Sequence, residues 1–309
     1  MPYDLEMEEY EEEMKFREGP KKCLVTGGAG FVGTNLVKRL LNDGHQVVVF
    51  DNYSTGFREN QVKGVRYGDI DIRESFSNWA EDVDVIFHMA ALPRIGPSFK
   101  NPKEVCDVNV GGTQNILDLA RKYEIPVVYA GSSSFWGGVY KNPYTFSKWQ
   151  GEELCKMYEQ IYGLNITICR FYNVYGDYMQ DEGAYRTVLS IFKEQRKSGK
   201  PLTITGDGEQ RRDFTNVEDI VDGLIRVSNR LTLFKGGHIV GEEFELGNGK
   251  NYSINELADG FGKEYPRKYL PERDGEVRES LCTDKKAMTE LGWKPTRDIV
   301  EYIKENYVE

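Results

Sequence analysis

From Lys21 onward, short apolar runs alternate with longer stretches in which apolar positions recur every three or four residues. The runs at 22–26, 46–50, 64–67, 84–88, 126–130 and 165–170 read as strands, and the stretches 31–43, 102–123 and 144–162 read as helices. Strands alternating with helices predict an α/β fold built on a doubly wound parallel sheet. Beyond about residue 171 the alternation becomes irregular and the links are rich in Gly and Pro. Residues 215–230 return to a helical period and are expected to pack back on the first lobe. The expected organisation is therefore a first lobe over 20–172, joined by 215–232, and a smaller interleaved carboxy-terminal lobe over 173–309.

The first strand, Cys23-Leu24-Val25, runs into Gly27, Gly30 and Gly33, and the first helix follows at once. Strand, glycine turn and helix form the context in which such glycines cradle a dinucleotide, giving a Rossmann-like cofactor domain. Glycine permits the tight turn and the close approach of backbone to a pyrophosphate. The helix start then directs unpaired N–H groups at the phosphates. The second strand ends on Asp51, about twenty residues further on, where a carboxylate accepts hydrogen bonds from the adenosine ribose. A carboxylate repels a 2′-phosphate, so NAD is expected over NADP, although Arg58 stands nearby. Asp69, after the third strand, is placed to meet the adenine edge, with a turn aspartate as the alternative. His88 closes the fourth strand and is read as a core histidine. Asn109 is read as an internal hydrogen-bonding residue behind the reacting centre.

Composition changes this picture little. The 309 residues suffice for one large α/β unit or two intimate lobes, and no apolar run is long enough to span a membrane. The five cysteines lack any Cys-x-x-Cys spacing and the three histidines share none, so reduced buried thiols and no metal site are expected. The formal charge of −10 sits mostly at one end: residues 1–18 hold eight acids against Lys15 and Arg17. An acidic, solvated tail over 1–19 follows, and the remaining body shows no basic stripe for a nucleic acid. The acidic start is unlike a secretory signal, so a cytoplasmic protein is expected.

The fifth strand ends in Gly131-Ser132-Ser133-Ser134, and Asn142-Pro143-Tyr144 opens the next helix with Asn142 as its cap. Tyr144 and Lys148 are four apart and share one helical face. A free phenol titrates near pH 10, roughly, and is a poor base at neutrality. A neighbouring ammonium favours the phenolate, which makes Tyr144 a candidate base with Lys148 as its activator. Ser132 can hydrogen-bond the same substrate oxygen. A buried tyrosine and a surface lysine on an ordinary helix is the alternative.

With these residues in hand the chain resembles the extended short-chain dehydrogenase/reductase family, in particular its NAD-dependent nucleotide-sugar epimerases and dehydratases. The likeness runs from about Lys21 to Pro295. It is carried by Thr26-Gly-Gly-Ala-Gly-Phe-Val-Gly33, Asp51-Asn52, Gly68-Asp69-Ile70, His88-Met-Ala-Ala91, Tyr144-x-x-x-Lys148 and Arg170-Phe-Tyr-Asn-Val-Tyr-Gly176. Downstream it continues in Gly206 to Phe214, Leu246-Gly-Asn-Gly249, Gly275-Glu276-Val277 and Leu291 to Pro295. The resemblance implies catalytic Ser132, Tyr144 and Lys148. It also implies NAD contacts from Gly27, Gly30, Phe31, Val32, Gly33, Asp51, Asn52, Asp69, Ile70 and Ala90, with Tyr144 and Lys148. Nucleotide-sugar contacts are implied for Asn173, Arg212, Arg273 and Glu276. The two arginines suit a diphosphate, whose oxygens match guanidinium forks.

Within that family the 4,6-dehydratases carry an Asp-Glu pair right after the catalytic hydroxyl, and the decarboxylating relatives usually place a Glu at the second of these positions. Here the positions are Ser133 and Ser134, which do no acid–base work at neutral pH. The reading that remains is a 4-epimerase of a UDP-hexose. Ser280 stands where the family limits its sugar pocket by bulk, so the resemblance implies room for an N-acetylated sugar. Two departures stand out: Ser132 and Tyr144 are separated by about half the usual length, and Arg211 replaces a common Thr. The alternatives are a dehydratase or reductase on the same scaffold, or a non-catalytic NAD-binding homologue. The apolar positions Val105, Val108, Leu154, Tyr158 and Ile161 suggest a helical homodimer interface, with packing inside one subunit as the competing account.

Overall fold

The computed structural model describes residues 19–74, 80–233, 239–272, 275 and 277–307. The acidic stretch 1–18, Arg273 and Glu276 lie outside them. Seven parallel strands form the central sheet: β1 (Lys22–Thr26), β2 (Gln46–Asp51), β3 (Arg66–Asp69), β4 (Val85–His88), β5 (Val127–Ser132), β6 (Ile166–Phe171) and β7 (Glu243–Leu246). Their order is β7-β6-β5-β4-β1-β2-β3. The helices that flank them include α1 (Phe31–Asn42), α2 (Thr113–Tyr123), α3 (Pro143–Tyr162) and α4 (Val217–Leu233).

The inner strands β1, β2, β4 and β5 are mostly apolar because both faces of the sheet are covered there. On one face Val25, Val49 and Phe244 pack with Leu36 and Leu40 of α1 and Ile220 and Leu224 of α4. On the other, Leu24, Phe50 and Ile168 pack with Ile116 and Leu117 of α2 and with Tyr158 of α3. A separate core of Leu189, Phe192, Leu202, Ile204, Leu257, Phe261 and Ile303 holds the carboxy-terminal region together. The chain leaves β1 toward β2 and β3 in one direction and resumes at β4 in the other. That reversal opens a crevice at the carboxyl ends of β1 and β4.

Two elements depart from the sequence pattern. The stretch expected as one helix over 102–123 is an α-turn at Pro102–Cys106, a π-helical turn at Asp107–Gly112, and then α2. The π turn carries Asn109, whose amide donates to Ser147 Oγ at 2.9 Å and whose Oδ1 accepts the Leu92 N–H at 2.8 Å. Gly112 closes it because a Cβ there would meet Ile72 Cδ1 at 2.5 Å. Strand β7 was not among the expected strands, since its alternating Glu243-Phe-Glu-Leu246 reads as a half-exposed segment. Its Glu245 is buried instead, paired with Arg170 of β6 at 3.1 Å.

The expected interface positions divide. Val105 and Tyr158 are buried inside the subunit and Val108 lines the cleft, whereas Ile161 is exposed. For these first two positions the competing account, packing inside one subunit, holds. No helix among the described residues is long and apolar enough to cross a membrane.

Candidate active site

The crevice deepens into a cleft of about 1290 Å³ running from the glycine turn to the carboxy-terminal lobe. Gly27, Gly30, Phe31, Val32, Gly33, Asp51, Asn52, Ile70 and Ala90 line one end. Ser132, Tyr144 and Lys148 stand at its middle, and Asn173, Arg212 and Ser280 line the far wall. Asp69 is the exception: its carboxylate turns to solvent and pairs with Arg58 at 2.5 Å, while Asp71 occupies the cleft wall and holds the Asn52 amide at 2.9 Å. Arg58 is thereby taken up by Asp69 and stacks 4.0 Å from the Tyr53 ring.

The glycine turn is sterically closed to other residues. Gly27 has φ 71° and donates its N–H to Phe50 O at 2.7 Å. A Cβ on Gly33 would sit 2.0 Å from the Gly27 carbonyl oxygen, and one on Gly27 2.9 Å from Ala90 Cα. The start of α1 at Gly30 has no side-chain cap, which leaves its backbone donors to a ligand. Asp51 is buried beside it and accepts the Ala29 and Tyr53 N–H groups at 2.9 and 2.8 Å. Burial pushes its carboxyl above the usual range, and these two bonds oppose that rise. A tight turn, an open helix start and a carboxylate at the end of β2 together fit the phosphates and ribose of NAD.

At the centre, Asn142 caps α3 by accepting the Thr145 N–H at 2.8 Å, with Pro143 in the first turn. This sets Tyr144 at the mouth of the helix, where its hydroxyl donates to Ser132 Oγ at 3.4 Å. Ser132 Oγ also lies 2.9 Å from Ser134 Oγ. Lys148 is 5% exposed, with its Nζ 4.4 Å from the Tyr129 ring centroid. Burial pulls its pKa down to about 8, against the charge of Glu152. The Tyr144 phenol is pushed up by burial, while the Ser132 hydrogen bond and the Arg94 charge pull it back. Arg94 is thus a second cation acting on the phenol, beside the Lys148 expected from the sequence. His88 is a core residue between Thr26 Oγ1 at 2.7 Å and Thr113 Oγ1 at 3.0 Å.

On the far wall, the Asn173 amide donates to Asp213 O at 2.9 Å and to Ser280 Oγ at 3.4 Å. Arg212 faces the cleft and donates to the Arg211 carbonyl at 2.9 Å. Arg211 points the other way, onto Asn251 Oδ1 and Glu256 at 2.9 Å each. Its substitution for a smaller residue is a structural tie between the strand segments 211–213 and 251–253.

The profile of the NAD dependent epimerase/dehydratase family matches residues 23–240. This chain belongs to that family. A putative UDP-glucose 4-epimerase of Methanocaldococcus jannaschii is 36% identical over 306 residues, 91% of this chain and 95% of the relative. Among solved structures, the UDP-glucuronic acid 4-epimerase of Bacillus cereus, in complex with UDP-glucuronic acid and NAD, superposes with a TM-score of 0.83 at 27% identity, covering 93% and 98% of the two chains. The dTDP-glucose 4,6-dehydratase of Streptomyces venezuelae, solved with NAD, gives 0.82 at 26% identity over 92% and 97%. NAD is accordingly the cofactor.

Set in an epimerase/dehydratase cleft, three further residues stand out that the sequence reading did not single out. Arg94 lines the cleft, donates from Nε to Tyr185 O at 3.1 Å, and has no ion pair among the described residues. Trp136, 64% exposed, lines the mouth on the short Ser132–Tyr144 link and is held by Glu245 Oε1 at 3.1 Å. Glu152 lies behind the centre and accepts the Ser132 N–H at 3.3 Å. Only Glu152 carried a hint, since 144, 148 and 152 share one helical face.

Proposed function

We propose that the chain is an NAD-dependent 4-epimerase of a UDP-hexose, acting on the UDP-glucose/galactose pair, its N-acetylated counterpart, or both. The observation that carries this reading is the Tyr144–Ser132 pair in the cleft, followed by serines where elimination chemistry requires carboxylates. The carboxylates lining the cleft among the described residues are Asp51, Asp71 and Glu279. Asp51 and Asp71 belong to the ribose end, and Glu279 is tied to the Asn251 amide at 2.7 Å.

Tyr144 takes the proton of the sugar C4 hydroxyl, and Ser132 orients that oxygen. NAD, held at the glycine turn and beside Asp51, would supply the hydride acceptor and donor for C4. Lys148 makes no hydrogen bond among the described residues, so its ammonium is left to the cofactor ribose and to the developing phenolate. Arg212, and by resemblance Arg273 and Glu276, hold the diphosphate and nucleoside while the sugar turns. The short link before Tyr144 leaves the cleft mouth open for that turn, and the small Ser280 leaves room for an acetamido group. The same proposal divides the chain into a cofactor lobe, 20–172 with 215–232, and a sugar lobe over most of 173–309. It also pairs two copies through the exposed Met157, Ile161 and Tyr162 of α3.

The test is Tyr144→Phe. Turnover should fall by at least the roughly hundred- to ten-thousandfold contribution of a general base, with NAD still bound. A variant that kept most of its activity would refute the assignment of the base.

A further inference from the structure

Glu152 is 1% exposed and does not line the cleft, yet it reaches the reacting centre from behind. It stands one turn beyond Lys148 and two beyond Tyr144 on α3. Its Oε1 crosses to β5 and accepts the Ser132 N–H at 3.3 Å. Its Oε2 takes two bonds from Arg170 on β6, from Nε at 3.0 Å and NH2 at 2.7 Å. Gly131 makes the approach possible, because a Cβ there would meet Glu152 Oε1 at 2.8 Å.

Arg170 alone does not account for this carboxylate. The same guanidinium meets Glu243 at 2.7 Å and Glu245 at 3.1 Å, both from β7. Lys156 pairs with Glu243 at 2.7 Å. With Glu153, which also pairs with Lys156 at 3.1 Å, four carboxylates share Arg170 and Lys156, and the next cation is the Lys148 ammonium one turn away. Cys155 and Tyr129, the other titratable groups packed there, are held neutral by burial. An excess buried charge is costly unless it is compensated.

We propose that Glu152 is the positioning residue of the reacting centre, fixing Ser132 under the Tyr144 phenol through the Ser132 backbone and balancing the Lys148 ammonium. This rests on the reading of Ser132, Tyr144 and Lys148 as the reacting set. The charge of Glu152 raises the pKa of both Lys148 and Tyr144. Its removal lowers both, so the rising and falling limbs of the pH profile move to acid together. A purely structural residue would lower the rate without displacing the profile.

The experiment compares the NAD-loaded wild type with Glu152→Gln, Glu152→Asp and Glu245→Gln. Each is followed by kcat against pH and by ultraviolet titration of the tyrosinate that is lost in Tyr144→Phe. Glu152→Gln should lose on the order of ten- to a hundredfold in kcat with KM little changed, since a small misplacement of reacting groups has that scale. Its profile and tyrosinate midpoint should move to acid. Glu152→Asp keeps the charge and loses the reach to Ser132, so kcat falls with the profile in place. Glu245→Gln disturbs the same ion network away from Ser132 and should leave the profile where it is. An unmoved tyrosinate midpoint in Glu152→Gln, or an equal displacement in Glu245→Gln, overturns the inference. Failure of the wild type to turn over any UDP-sugar would count against the proposed reaction instead, and the tyrosinate titration would still judge Glu152.

Discussion

A phenol in a desolvated cleft resists ionisation, and the groups around Tyr144 act on that resistance with opposite signs. Burial and Glu152 raise it, while Ser132 and Arg94 lower it. Arg94 is therefore expected to matter through its charge on the phenol. In Arg94→Gln the phenol loses its stabilising charge, so its pKa rises and the ascending limb of kcat moves to higher pH. That is the reverse of the displacement expected for Glu152→Gln, and an ascending limb that stays in place would refute the role of Arg94. The Tyr144–Lys148 spacing and the Ser132 position were legible in the sequence because helical period and strand end place them without tertiary knowledge. Arg94 was not, since an arginine in Leu92-Pro-Arg-Ile95 belongs to no period and meets Tyr144 only in the fold. Asp69 shows the opposite limit. It was expected just after the third strand and is the last residue of β3, and the direction of its carboxylate depends on Arg58.

At the scale of elements, the glycine turn is the most constrained feature of the chain. An alanine at Gly33 would drive its Cβ to 2.0 Å from the Gly27 carbonyl, so the turn and the start of α1 must shift. Gly33→Ala should then purify with little or no NAD and unfold at lower temperature. NAD content after gel filtration and a thermal melt check both, and full occupancy would contradict the close-approach argument. The turn was readable because the glycine spacing is local. The π turn at Asp107–Gly112 was not, because it depends on Ile72 packing against Gly112 and on Asn109 reaching Leu92 and Ser147. Strand β7 was hidden for a related reason. Its glutamates look solvent-facing until Arg170 of a neighbouring strand is placed beside them.

For the whole molecule, the run of alternating strands and helices fixed the first lobe in advance, and the positions of six of the seven strands followed within a few residues. The second lobe was harder, since its short strand pairs, such as 202–205 with 267–270, join segments far apart in the chain. The two regions meet at the cleft, and the proposed reaction needs both, one to hold the dinucleotide and the other the sugar. The most direct measurement is to incubate the NAD-loaded protein with a panel of UDP-hexoses and their N-acetylated forms, then resolve and weigh the products. The account predicts the C4 epimer, equal in mass to its substrate, without consumption of added NADH. A product lighter by one water, a requirement for external NADH, or no conversion of any member of the panel would contradict it.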